Sequence, residues 1–179
     1  VWLATYHKGI MRSDMPYVQG KKLSFSKVDT GSGKSEETML CALEDADGNL
    51  WFGNIDGTLT VCHIRTGRFV VHSLLVDGVA NRASVWALYM DNKNRLYVGT
   101  GDGLLLYNHQ ESTCVKLSAE RYLNEKRQPF IRAIVQTKDG TIWLGTSNMG
   151  VCRLVESASG DISVENGYEG RMNMEYRSV

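Results

Sequence analysis

The groups of this 179-residue chain that could do chemistry are four histidines, four cysteines and twenty acidic side chains. Their spacing limits what that chemistry could be. His7, His63, His72 and His109 have no HxxxH-type pairing. Cys62 and His63 are neighbours, which a strand sends to opposite faces, so no metal centre is expected. Cys41, Cys62, Cys114 and Cys152 lie 21, 52 and 38 residues apart with no CxxC pair. That argues against a closed zinc site, and the chain is too long and too cysteine-poor for a disulfide-stapled miniprotein. The spacing leaves the redox state of the thiols open. Ser32-Gly33-Lys34-Ser35 looks like the tail of a phosphate-binding loop, yet the glycine required five residues before Gly33 is Val28, and a strand follows in place of a helix. It reads as a flexible loop. Gly31-Ser32-Gly33 is no nucleophile elbow, and no carboxylate pair stands out for glycoside hydrolysis. No catalytic residue and no cofactor is expected.

Charge narrows the classes further. Twenty Lys+Arg balance twenty Asp+Glu, so no net field concentrates nucleic acid or an anionic membrane. No run of 18 apolar residues exists that could span a bilayer as a helix. The chain opens Val1-Trp2-Leu3 with no initiator Met, basic n-region or signal peptide, and the expectation is a processed or excerpted chain. An apolar fraction of 42% supports a real core. Glycine is 18 residues and proline 2, which points to many tight turns.

The elements that would carry any site follow from a repeat. Three segments align without gaps: 39–54, 85–100 and 131–146. Trp51 to Tyr97 is 46 residues, and Tyr97 to Trp143 is 46 again. Trp2-Leu3-Ala4-Thr5 repeats the second half once more. In each unit an apolar run ends at an Asp-rich turn holding Gly48, Asn94 or Gly140, residues that tolerate positive φ. A second strand carries the aromatic and ends in Gly-Thr or Gly-Asn. A third begins near Gly9, Gly57, Gly103 or Gly150, and a weaker fourth lies at Lys22–Val28, Arg68–Leu74, Thr113–Leu117 and Asp161–Val164. Four antiparallel strands per 40–50 residues is the pattern of a β-propeller blade, so the expected fold is an all-β propeller of four-stranded blades. One helix is expected, at Ala119–Lys126, between two repeats.

The pattern Asp-x-x-Gly-x-Leu-Trp-hydrophobic-Gly-Thr followed by Gly-Leu/Ile/Val resembles the two-component regulator propeller repeat. Asp45–Asn54, Asp91–Thr100 and Thr137–Thr146 carry it, with Gly57, Gly103 and Gly150 behind them. Asn94 and Tyr97, Thr137, Asn54 and Thr58 are departures from it. The chain is similar to the extracytoplasmic sensor region of Bacteroides-type hybrid two-component histidine kinases. That resemblance implies a periplasmic, non-catalytic input module of a dimeric receptor, often glycan-responsive, with the kinase elsewhere. The alternatives are a protein–protein scaffold, disfavoured by the lack of Trp-Asp dipeptides and of a kelch double-Gly pattern, or a propeller lyase or hydrolase.

About four blades are counted: a partial blade at 1–30, blades at 39–76, 85–117 and 131–164, and the start of another at 165–179. The ends could meet and close a four-bladed ring. The resemblance implies instead a fragment of a larger, typically seven-bladed propeller. Unpaired strands and uncovered blade surface in such a fragment lead us to expect self-association, as a homodimer or larger species.

The repeat also sorts the candidate ligand contacts. Trp2, Trp51, Tyr97 and Trp143 recur at one position, which inter-blade packing explains better than sugar stacking. Trp86 breaks the repeat, its equivalents being Leu40 and Arg132, so it could meet a ligand at the channel or simply pack. Loops at one end of the blades vary while the strands keep the repeat, as a recognition surface requires. They supply His7, Lys8, Asp56, Asp102 and Asn148 from the turns between second and third strands. The inter-blade loops add Asn81 and Arg82, then Arg121 and Tyr122. Such polar and aromatic side chains would suit an oligosaccharide or a uronate.

Overall fold

The computed structural model describes residues 1–31, 38–109, 111–117 and 128–166. The chain is all-β over these residues, arranged as four consecutive sheets, each built on antiparallel blade strands. The first holds β1 (Trp2–Thr5), β2 (Gly9–Ser13) and β3 (Phe25–Lys27). The second holds β4 (Met39–Glu44), β5 (Leu50–Asn54), β6 (Thr58–His63) and β7 (Arg68–Ser73). A short hairpin follows, β8 (Leu75–Val76) and β9 (Val79–Ala80). The third blade is β10 (Val85–Met90), β11 (Leu96–Thr100), β12 (Gly103–Asn108) and β13 (Thr113–Leu117). The fourth is β14 (Ile131–Gln136), β15 (Ile142–Thr146), β16 (Val151–Glu156) and β17 (Ile162–Asn166). Strands run in sequence order within each blade, and the first strands β4, β10 and β14 of successive blades pack side by side. This is the propeller arrangement that the repeat predicts.

The hairpin turns explain why Gly48, Asn94 and Gly140 alternate at one position. All three adopt positive φ (80°, 60° and 89°), and each amide donates to the residue three before it, Asp45, Asp91 or Thr137. The preceding acidic residue finishes the turn. Asp45 Oδ1 accepts from the Asp47 and Asn49 amides, and Asp91 Oδ1 from those of Lys93 and Arg95. The second oxygen reaches the repeat aromatic: Trp51 Nε1 donates to Asp45 at 2.9 Å, and Tyr97 Oη to Asp91 at 3.3 Å. In the third repeat, where Thr137 replaces Asp, Asp139 takes over as acceptor for the Thr141 amide.

Burial follows blade geometry. Every residue of β5 and β11 is buried, because a second strand lies between two neighbouring strands and between two blades. The core sits between blades. Trp2 packs with Ile10, Met39 and Phe52; Trp51 with Val85, Val98 and Tyr107; Tyr97 with Ile131, Leu144 and Cys152. Trp2, Trp51 and Tyr97 are therefore inter-blade packing groups. Burial raises the Cys41 and Cys114 thiols to about 12, and pushes Cys62 and Cys152 up as well.

Part of the stretch read as an inter-blade loop, Asp77–Ser84, is strand. Asp77 and Gly78 both have positive φ, and this two-residue turn joins β8 to β9. β8 then pairs parallel with β13, so the third sheet has six strands. The expected helix at Ala119–Lys126 and the Ser32–Ser35 loop lie outside the described residues, as does most of 165–179.

Candidate ligand-binding face

The turns between second and third strands and the inter-blade loops share one end of the blades, tied by a repeated hydrogen bond. The Ile55 amide donates to the Thr38 carbonyl, the Gly101 amide to that of Ser84, and the Ser147 amide to that of Phe130. Each step is 46 residues. Side chains at the acceptor position add a staple in two blades: Thr38 Oγ1 donates to the Tyr6 carbonyl, and Ser84 Oγ to the Ile55 carbonyl at 2.7 Å. In the fourth blade that position is Phe130. It has no hydroxyl, and its ring lies against Gly101, whose β-carbon position would be 3.9 Å from Phe130 Cζ.

Two residues further on lies a second repeated feature. The register of each first strand skips one residue: between Met39 and Cys41, Val85 and Ala87, Ile131 and Ala133. The unpaired residues are Leu40, Trp86 and Arg132. A β-bulge re-aims its side chain out of the regular alternation, so these three equivalent positions carry an apolar, an aromatic and a cationic group on neighbouring blades.

Trp86, Phe130 and Arg132 meet. The Arg132 guanidinium carbon is 3.9 Å from the centre of the Trp86 ring and 4.3 Å from that of Phe130, and the two ring centres are 5.7 Å apart. The cation thus lies in the corner between two tilted rings, an arrangement that orients it. Arg132 Nε donates to Ser147 Oγ at 2.9 Å. Arg132 is exposed, and no carboxylate pairs with it among the described residues. Its Nη groups are left for solvent or a ligand.

The structure places the sequence candidates around this cluster in different roles. Trp86 is part of it. Asn148 frames it: Oδ1 accepts from the Phe130 amide at 2.8 Å, and Nδ2 donates to the Gln128 carbonyl at 2.9 Å. Asn81 is likewise a loop staple, its Nδ2 donating to the Gly57 and Ala83 carbonyls. Asp102 forms an ion pair with Lys116 at 3.0 Å, and Asp56 accepts from Thr58 in its turn. His7 and Arg82 are exposed on the same end, His7 edge-on to Tyr6; Lys8 is exposed too, its amide on Thr5 Oγ1. Arg121 and Tyr122 lie outside the described residues. Sequence reasoning passed over Phe130 and Arg132. The signal was present, since they break the repeat at two positions relative to Ser84 and Trp86.

The opposite end of the same two blades is built differently. A cleft of ≈370 Å³ there is lined by Arg95, Tyr97, Gln136 and Glu156 among others. Its charges satisfy one another: Glu156 pairs with Lys93 at 3.0 Å and with Arg95 at 3.1 Å, while Arg95 Nε also reaches Asp91 at 2.7 Å. Bonds from Lys93 and Arg95 hold the Glu156 carboxyl below its usual range. These contacts clamp the third blade to the fourth and leave few groups for a ligand.

Fold and face together define a β-propeller with a regular strand scaffold and a variable loop end. Residues 33–56, 78–102 and 126–148 match the two component regulator propeller. Among curated proteins, none matches the chain in sequence. Solved structures share the fold. The extracellular domain of a protein assigned as a hybrid two component system of Bacteroides thetaiotaomicron superposes with a TM-score of 0.64 at 22% identity, over 94% of this chain and 20% of that one. A second such extracellular domain from the same bacterium gives 0.64 at 23% identity, over 88% of this chain and 20% of that one. A catalytically inactive virginiamycin B lyase from Staphylococcus aureus gives 0.60 at 11% identity, over 87% of this chain and 47% of its own length. The chain spans about a fifth of the length of the extracellular domains it resembles.

Proposed function

We propose that this chain is a non-catalytic, ligand-binding part of the extracytoplasmic sensor region of a hybrid two-component receptor, and that its ligand is a carbohydrate. The observation that carries the reading is where the repeat breaks. The strands keep their 46-residue register, whereas the loop end departs from it at Trp86, Phe130 and Arg132, which converge on one exposed cluster. A binding module needs a rigid scaffold with variable ends, and the aromatic rings offer flat apolar faces to sugar C–H groups. Likeness to extracellular domains of two-component systems supports the sensor role and a periplasmic or extracellular location. Signalling would then follow from unequal ligand affinity for two receptor arrangements. Self-association belongs to the same reading, because apolar residues such as Val71 and Val115 face solvent on the outer strands.

Since a lyase shares the propeller fold, fold alone does not choose between sensor and enzyme. A thermal-shift and calorimetric screen against an oligosaccharide panel, with product analysis, decides. Saturable binding that raises Tm without turnover is the expected result; product formation overturns the reading.

A further inference from the structure

The chemistry of Arg132 specifies the ligand more narrowly. A guanidinium carries five N–H donors in a planar fork. At Arg132 the Nε donor is committed to Ser147 Oγ, and one side of the group is covered by the Trp86 and Phe130 rings. What remains is the outer edge, where two parallel N–H groups of Nη1 and Nη2 match the two oxygens of a carboxylate. The Ser147 bond and the two rings limit the rotamers the side chain can take, so little freedom is left to lose on binding.

Alternatives to a ligand do not account for this placement. Four basic side chains on the blades have carboxylate partners: Lys93 and Arg95 with Glu156, Lys116 with Asp102, Arg153 with Glu165. Arg132 has none among the described residues. Nor does the bulge require arginine, because the equivalent residue is Leu40 in the second blade and Trp86 in the third. A cation held in an aromatic corner at the mouth of a variable face, with its anion-binding edge outward, is a recognition group.

We propose that Arg132, lodged between Trp86 and Phe130, is the group that reads an anionic substituent, and that the ligand of this face is an acidic carbohydrate bearing a carboxylate. The carboxylate would bridge the Nη atoms while the sugar ring lies along the neighbouring aromatic faces. This inference rests on the carbohydrate-binding reading above and adds a charge requirement to it.

The test is calorimetric titration of the 179-residue chain with trigalacturonate, a glucuronate-terminated disaccharide and sialyllactose. Each is set against a neutral counterpart: the methyl-esterified trisaccharide, the glucose-terminated disaccharide and lactose. At least one acidic sugar should bind, its neutral counterpart about tenfold or more weaker, with affinity falling as salt rises. Arg132→Gln should lose that same factor, and Arg132→Lys should recover only part of it, because an ammonium lacks the fork. Far-UV circular dichroism and Tm should match the parent, as Arg132 is exposed. Binding of neutral sugars with equal affinity, or binding unaffected by Arg132→Gln, overturns the charge requirement and leaves the carbohydrate reading standing. Binding of simple carboxylates such as glutarate in an Arg132-dependent way, with no sugar bound, sustains the anion site and overturns the carbohydrate reading. No binding by any of these probes overturns both.

Discussion

Gly99 and Ile131 of the following blade leave no room between them for a methyl group. A β-carbon on Gly99 would fall 2.6 Å from Ile131 Cγ2, and one on Gly53 would fall 2.5 Å from Val85 Cγ1 in the blade pair before. In these two repeats the glycine near the end of the second strand is therefore where one blade seats the first strand of the next. Gly99→Ala should destabilise the chain by about 1–3 kcal/mol through overpacking. Urea denaturation should show a lower midpoint, partly recovered when Ile131→Ala is combined with it. An unchanged midpoint for Gly99→Ala would contradict this seating.

That contact shows how far sequence reading reaches. The 46-residue step locates the blades, and the positive φ at Gly48, Asn94 and Gly140 is legible because only certain residues tolerate it. The cause of Gly53 and Gly99 is not legible, because it lies in a residue about 32 positions away on another sheet. The β8–β9 hairpin was within reach: Asp77-Gly78 is a strong two-residue turn signal. It was obscured by two-residue strands too short to show alternation. The ligand face divides the same way. Trp86 stands out as a break in the repeat, but its partner Arg132 was read only as a repeat equivalent. Their contact depends on two bulges and on Phe130 replacing the Thr38/Ser84 staple.

Asp91 joins a turn, the interior aromatic and the inter-blade clamp in one carboxylate. It is buried and accepts from the Lys93 and Arg95 amides, from Arg95 Nε and from Tyr97 Oη. Asp91→Ala should cost about 2–4 kcal/mol, since several buried donors lose their acceptor together. Exposed Glu156 is screened by water, so Glu156→Gln should shift the urea midpoint far less, and less still at high salt. Comparable losses from the two variants would overturn this ranking.

His72 predicts an acid-side loss of stability. Its Nδ1 lies 3.0 Å from Tyr107 Oη, between the second and third blades, with Trp51 alongside. Burial, followed by the nearby His63, lowers its pKa below the ordinary value of 6.5. The folded state therefore favours the neutral ring, and the unfolded chain binds more protons once pH drops through the histidine range. Stability should fall as pH goes below about 6.5 and level off beneath the lowered folded value. In His72→Gln, Tm between pH 7 and 5 should decline less steeply than in the parent. Equal slopes would show that His72 is not the group responsible.

The four cysteines should be inert in the folded chain. Burial raises Cys41 and Cys114 to about 12 and also shifts Cys62 and Cys152 upward, so little thiolate exists at pH 8. A thiol-disulfide exchange reagent at that pH should label none of them rapidly, and all four after unfolding in guanidinium. Rapid labelling of one or more native thiols would show a blade interface that opens.

Hydrogen–deuterium exchange with and without saturating trigalacturonate addresses the ligand face most directly. Protection should concentrate in peptides covering Ser84–Trp86, Phe130–Arg132 and Ser147–Met149, and should vanish in Arg132→Gln. Protection confined to the turns at 91–95 and 137–141, or no protection at all, would contradict a binding face built on Trp86 and Arg132.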